Sequence, residues 1–148
     1  MPGPLGPDAP TPYCRPRDAQ GEHTMSDPIA DRLAIADVII RYATSVDQRD
    51  LQRYATCFTE DIVVTGFSGG EMRGLGPYVE WVGEALSRFS HTHHQVGNHE
   101  ITVNGDRAHM RTYITATHVL ASDPNMLLIL WGIYDDQLVR TPDGWKIT

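Results

Sequence analysis

Asp31-Arg-Leu-Ala-Ile-Ala-Asp-Val-Ile-Ile-Arg-Tyr-Ala-Thr-Ser-Val-Asp47 is the stretch on which the fold turns. At 100° per residue, Ile29, Leu33, Ala36, Ile40 and Ala43 fall on one stripe, which predicts a helix with that stripe against a core. Asp47 continues the stripe four residues after Ala43, so its carboxylate is expected to aim inward. There it needs a partner, a proton or a cavity, because an unpaired buried carboxylate is costly. Tyr42 lies at the other edge of the same apolar arc. Ser26-Asp27-Pro28 supplies the helix start, and the helix is expected to run to about Val46.

Outward from that helix, Leu51–Phe58 reads as a second, short one, with Leu51, Tyr54, Ala55 and Phe58 at helical spacing. Ile62–Thr65 reads as a strand and Ser68-Gly69-Gly70 as a turn. Gly74-Leu-Gly-Pro77 is a breaker, and Pro77 opens a helix over Tyr78–Phe89. The second half reads as strands: His93–Val103, a tight turn at Asn104-Gly105, then Ala108–Leu120. Ala108, Met110, Ile114, Ala116, His118 and Leu120 share one face of the last of these. Ser122–Asn125 is a loop, and Met126–Tyr134 is apolar on both faces, as in a central strand. After a turn at Thr141-Pro-Asp-Gly144, Trp145-Lys-Ile-Thr148 begins a final strand. Helices first and antiparallel strands after predict an α+β domain. A curved, mostly antiparallel sheet wrapped around the N-terminal helices makes a cone-shaped α+β barrel with a deep pocket, into which Asp47 would point.

The chain has 148 residues, enough for one domain with a real core. Residues 1–24 hold six prolines and three glycines and almost no large apolar side chains, so they read as a disordered tail without the apolar core of a signal peptide. Residues 25–148 have ordinary globular composition and form the expected domain. A net charge of −7 without a basic cluster argues against a nucleic-acid partner. The longest apolar run, Met126–Trp131, is too short to span a bilayer, so no membrane association is expected. Cys14 and Cys57 form no metal-ligand or redox spacing, and a cytoplasmic setting is the simplest reading.

Two further anomalies carry chemistry. His118 falls on the inner face of its strand, where it is either a core histidine bonded to a backbone carbonyl or a functional one. His91-Thr-His93-His94 offers several imidazoles, with His99 nearby, but Gly97 can seat a bulge that flips the alternation, so either His93 or His94 faces in. The alternatives there are an exposed polar strand start and an HxH metal chelate. The latter lacks a third ligand at a recognisable spacing, and no metal or cofactor is expected. Dinucleotide, phosphate-loop, nucleophile-elbow and zinc-finger signatures are missing. Phe58, Phe67, Trp81, Trp131 and Tyr134 are expected to line a core or a substrate pocket. Tyr42, Asp47, His94 and His118 thus form a candidate catalytic set. A carboxylate fixes the tautomer of a histidine base, and a tyrosine hydroxyl donates to a developing oxyanion.

At these residues the sequence resembles the SnoaL-like branch of the nuclear transport factor two-like superfamily. The likeness rests on Tyr42-x4-Asp47 with Asp50 beyond, Phe58-Thr-Glu-Asp61, Thr92-His-His94, Ile101-x3-Gly-Asp-x-Ala108 and Tyr134…Asp143-Gly-Trp-Lys-Ile147, in that order over about residues 28–148. The resemblance implies a cone with a deep pocket, often in a homodimer packed through the sheet. Among its members, scytalone dehydratase and the bile acid 7α-dehydratases are the most similar in function-bearing residues. Carried over, Asp47 matches the family aspartate, Tyr42 the bile-acid-type tyrosine, His94 the strand histidine and His118 the second histidine of the scytalone enzyme. Val46, Gly132 and Tyr134 depart from that enzyme's tyrosine, serine and asparagine, so its particular substrate is not expected here.

The reading that follows is a cofactor-free dehydratase-type lyase acting through an Asp–His dyad on a small hydrophobic cyclic carbonyl compound, such as a steroid, polyketide or aromatic. An isomerase or cyclase shares its opening step. The alternatives are a non-catalytic small-molecule binder and a structural subunit like the small subunit of ring-hydroxylating dioxygenases.

Overall fold

The computed structural model describes residues 27–67 and 70–148; the expected tail and part of the expected Ser68-Gly69-Gly70 turn lie outside them. Helix α1 spans Pro28–Gln48, with Asp27 accepting a hydrogen bond from the Ile29 amide at 2.9 Å and proline in the first turn. Arg49 ends it in the left-handed conformation at φ 62°. Helix α2 is shorter than expected, Leu51–Ala55. Its next three amides bond back only three residues, to Arg53, Tyr54 and Ala55, and this tightening turns the chain out of the helix. Phe58 instead makes an isolated parallel bridge with Ile147.

A small hairpin, β1 (Val63–Val64) and β2 (Met72–Arg73), precedes helix α3, Leu75–Ser87. Phe89, read from the sequence as the end of that helix, is the first residue of the main sheet. That sheet is an antiparallel meander of β3 (Phe89–Asn104), β4 (Arg107–Leu120), β5 (Leu127–Thr141) and β6 (Gly144–Ile147), in that spatial order. Gly105 at φ 60° makes the β3–β4 turn, a conformation glycine adopts without cost. Helices first and a curled antiparallel sheet after give the expected α+β cone.

Helix α1 packs across the sheet, but not with the expected stripe. Ile35, Val38, Ile39, Tyr42, Ala43 and Val46 are its buried apolar residues, whereas Ile29, Leu33 and Ile40 are 71, 63 and 45 % exposed. The helix carries two overlapping apolar stripes, and periodicity alone does not choose between them. Tyr42 therefore sits on the buried face rather than at its edge. Asp47 still reaches the interior, because it follows the buried Ala43 by four residues and Ile39 by eight, the same face of a 3.6-residue helix.

The inner face of the sheet is set by register. Ala108, Met110, Thr112, Ile114 and Ala116 are buried along β4. His94 pairs with Ala116 and Thr92 with His118, so His94 and His118 share the inner face and His93 projects outward with Thr117. Asn98, at φ 51°, is the extra residue of a β-bulge between Gly97 and Glu100, after which Ile101 and Val103 point inward.

Strand β5 is central in order but not along its length. Strand β6 pairs only with Leu138–Thr141, so Leu127–Ile133 forms an edge. Its side chains, read from the sequence as buried on both faces, are largely exposed: Leu127, Ile129 and Ile133 are about half exposed and Trp131 is 79 % exposed.

Candidate active site

The end of α1 and the start of β3 meet at Asp47. One carboxylate oxygen, Oδ1, lies 2.7 Å from His94 Nδ1 and accepts a hydrogen bond from the Thr92 hydroxyl at 2.9 Å. The other, Oδ2, accepts from the His94 backbone amide at 2.8 Å. Three donors from one strand start thus converge on one carboxylate. The His94 side chain is 8 % exposed and that of Asp47 is 21 % exposed. A carboxylate is an obligate acceptor, so the contact puts the Nδ1 proton between them and leaves Nε2 as the nitrogen available to act as a base.

Arg49 holds this junction together. Its guanidinium donates to the Leu86 carbonyl at 2.6 Å and the Phe89 carbonyl at 2.7 Å, tying the end of α1 to the turn from α3 into β3.

His118 stands beside the dyad, its ring 5.3 Å from that of His94 at an interplanar angle of 85° and 4.6 Å from Phe89. Its Nδ1 is buried without a hydrogen-bond partner. Burial, and next the neighbouring His94, lower its pKa below the usual histidine value, and a backbone bond to Leu128 opposes the shift. His118 is therefore a neutral imidazole at pH 7 with one buried nitrogen unused.

Tyr42 is not part of this cluster. Its hydroxyl lies 3.3 Å from that of Tyr134, and its ring packs on Tyr54, Phe58 and Tyr134. Tyr54 in turn donates to the Tyr78 hydroxyl at 2.8 Å. Burial raises the pKa of all four tyrosines, so they remain neutral hydroxyls.

A cavity of about 640 Å³ opens between this tyrosine group, the β1 hairpin and β5. Phe58, Phe67 and Tyr134 are among its lining residues. Trp81 does not: it packs on Tyr78 and Phe67, one layer behind the wall. Trp131 does not either, because its odd position in β5 turns it to the outer face. Neither Asp47 nor His94 lines the cavity. The cavity reaches Leu130, which pairs with Ala116, itself paired with His94.

Asp136, which no sequence motif marks, lies in the cavity wall with Oδ2 buried and unpartnered. Burial, with Asp135 beside it, pushes its carboxyl up to about 7. Its signal was available in the alternation of β5, where Leu128, Leu130, Gly132, Tyr134 and Asp136 share one face. Among the described residues no three His, Cys, Asp or Glu side chains gather to hold a metal ion.

Comparison with known proteins gives a consistent picture. The SnoaL-like domain family matches residues 27–148. The uncharacterized protein Rv2910c of Mycobacterium tuberculosis is 34 % identical over 120 residues, 80 % of this chain and 82 % of that one. Among solved structures, the Kfla4162 protein of Kribbella flavida superposes with a TM-score of 0.76 at 28 % identity, covering 82 % of this chain and 88 % of its own. A scytalone-dehydratase-like protein of Novosphingobium aromaticivorans gives 0.74 at 24 % identity, over 80 % of each chain. A type 2 hexachlorocyclohexane dehydrochlorinase gives 0.72 at 21 %, over 80 % of this chain and 81 % of its own. At those last two identities the likeness is one of fold.

Proposed function

Since the chain belongs to the SnoaL-like domain family, whose fold is shared by dehydratase-type proteins, we propose that it is a cofactor-free lyase of the dehydratase type, with His94 as its base. The observation that carries this reading is the 2.7 Å contact between Asp47 and His94 Nδ1.

His94 Nε2 takes a proton from the carbon next to a carbonyl, and the C–H electron pair passes into an enolate. The enolate collapses to a C=C bond and expels the β-hydroxyl, which regains the proton from the imidazolium and departs as water. Asp47 keeps the ring in one tautomer and stabilises the imidazolium. His118, neutral beside the His94 ring, adds no charge that would oppose the imidazolium as it forms. The aromatic cavity beside the dyad, with Phe58, Phe67, Tyr42 and Tyr134 in its wall, suits a hydrophobic ring compound. Isomerisation or cyclisation would begin with the same proton transfer.

The test is α-proton exchange into D2O, followed by NMR on a panel of cyclic β-hydroxy carbonyl compounds, with binding measured alongside. Wild type exchanges and eliminates, and His94→Ala binds but does neither. A wild type that binds panel members without exchange or elimination refutes the proposal and leaves a binding protein.

The outer sheet face favours self-association. Tyr113, Ile129, Trp131 and Ile133 expose a continuous apolar surface, and a homodimer packed through it would cover them. A cytoplasmic setting belongs to the same proposal, and Cys57, a buried free thiol, is compatible with it. No described helix is long and apolar enough to cross a membrane.

A further inference from the structure

The mechanism above makes no use of Asp136, although its position carries a stability cost. It projects from the inner face of β5, opposite Met110, into the cavity wall. Six residues separate it from Leu130 at the dyad end, roughly 20 Å along an extended strand. Its Oδ2 is buried and has no hydrogen-bond partner. A buried carboxylate normally recovers its lost hydration from a cation or from converging donors. Asp135, its neighbour, has both: His109 Nε2 at 2.6 Å and Arg111 Nε at 3.5 Å. Asp136 has neither in the structure.

The surroundings narrow what would fill the gap. No described residue in the cavity lining is a lysine, arginine or histidine. Tyr78 and Tyr134 are close enough for the Asp136 charge to raise their hydroxyl pKa values, and Tyr42 and Phe58 complete an aromatic wall. A cavity with an unpaired carboxylate, several rings and no cation repels anions and attracts an organic cation, through both the carboxylate and the ring quadrupoles.

We propose that this cavity binds an organic ligand bearing a protonated nitrogen, with the Asp136 carboxylate as its counter-ion and the rings of Tyr42, Tyr78 and Tyr134 around the charge. The site lies in the same cavity that the elimination reading gives to the substrate ring, toward its Asp136 end, and amine binding there requires neither Asp47 nor His94, which do not line it. The shifted carboxyl agrees with it: a group poised at about 7 is restored to the charged form when an ammonium arrives. The titratable groups acting on Asp136 are Asp135 on its own strand, His109 on β4, Tyr78 on α3 and Tyr134 on β5, and Tyr42 on α1 shares the cavity wall with it.

Benzylamine and naphthylmethylamine, against their neutral alcohol counterparts, are the probes, titrated into the full chain by calorimetry and NMR. Near pH 8 at least one amine is expected to bind about tenfold more tightly than its alcohol. Asp136→Asn removes that preference, as does lowering the pH to about 5.5, where the carboxyl is protonated. His94→Ala leaves amine binding unchanged. In wild type, saturation with the amine moves the 13C-carboxyl titration of Asp136 to lower pH, a readout that does not depend on the variant folding. Equal affinity for amine and alcohol, no saturable binding of either amine, an unmoved Asp136 titration, or binding that tightens as pH falls each overturns the proposal. The last outcome would make Asp136 a hydrogen-bond donor to a ligand oxygen.

Discussion

Replacing Asp47 with asparagine changes little in shape and much in hydrogen-bond logic. The carboxylate accepts three bonds: the Thr92 hydroxyl and His94 Nδ1 on Oδ1, and the His94 amide on Oδ2. Asparagine offers one oxygen and one NH2 group. A backbone N–H cannot become an acceptor, whereas a hydroxyl rotates and an imidazole changes tautomer. The amide oxygen is therefore expected at the Oδ2 position and the NH2 at Oδ1, where it donates to His94 Nδ1. The ring proton moves to Nε2, and the nitrogen facing the substrate becomes a donor instead of a base. Loss of the charge-assisted bond to the imidazolium removes about 1.5–3 kcal/mol of stabilisation, about 10- to 100-fold in rate. Tautomer inversion adds to this, and the sum is roughly 10³- to 10⁴-fold in kcat, the order seen when a catalytic histidine is left in the wrong tautomer. Binding affinity should change little. The assay is turnover with a long-range 1H–15N correlation of the His94 ring, which reads the tautomer directly. An Asp47→Asn variant with an inverted tautomer and undiminished turnover would refute the reasoning, as would an unchanged tautomer with lost turnover.

Other expectations follow from the burial of single groups. The pKa of Asp136 is raised in the fold, so the folded state holds its proton more tightly than the unfolded one. Its cost is absent below the ordinary carboxyl value of 3.8, grows as pH rises from there and levels off above about 7. Asp136→Asn should therefore be more stable than wild type at pH 8 by up to about 4 kcal/mol, the gap closing toward pH 4 in chemical denaturation. His118 has the opposite sense: its lowered pKa favours the neutral form, so it costs stability as pH falls below the usual histidine value, and its NMR titration midpoint should lie below that value. Met110 is fully buried, and Met110→Ala should cost about 2–5 kcal/mol by denaturation. Trp131→Glu should yield a monomer in sedimentation if the outer sheet face is the dimer contact, with the monomer fold intact by circular dichroism.

Much of the architecture was legible because apolar period and turn chemistry agree within each element. Asp27-Pro28 starts α1, Asn104-Gly105 closes the long hairpin, and the alternation of Ala108 to Ala116 marks the inner face. The face of α1 was not legible, since Ile29, Leu33 and Ile40 compete with Ile35, Val38 and Ile39, and only tertiary contact decides between them. The inward turn of His94 could not be read from alternation alone, because one left-handed residue, Asn98, sits between it and the rest of the strand. Trp131 was misread as a pocket residue because an apolar run on both faces looks central. The pairing of β6, which stops short, makes it an edge. Asp136 was legible by parity and was passed over among the apolar neighbours that drew attention to the strand. Tyr54 and Tyr78 carried no such signal, as a tyrosine at a helical core position is ordinary until its hydroxyl is seen to meet another.

The Arg49 strut has a consequence for the order of assembly. Asp47 and His94 are 47 residues apart in sequence, and the stretch between them contains α2, the small hairpin and all of α3. Arg49 closes that loop at the carbonyls of Leu86 and Phe89, so the clasp forms only when α3 has docked. The clasp thus ties the last turn of α3 to the same end of α1 that carries Asp47, and local opening of α3 would free Arg49 beside the dyad. Hydrogen exchange at the His94 amide, bonded to Asp47, would report that opening as a rate of its own.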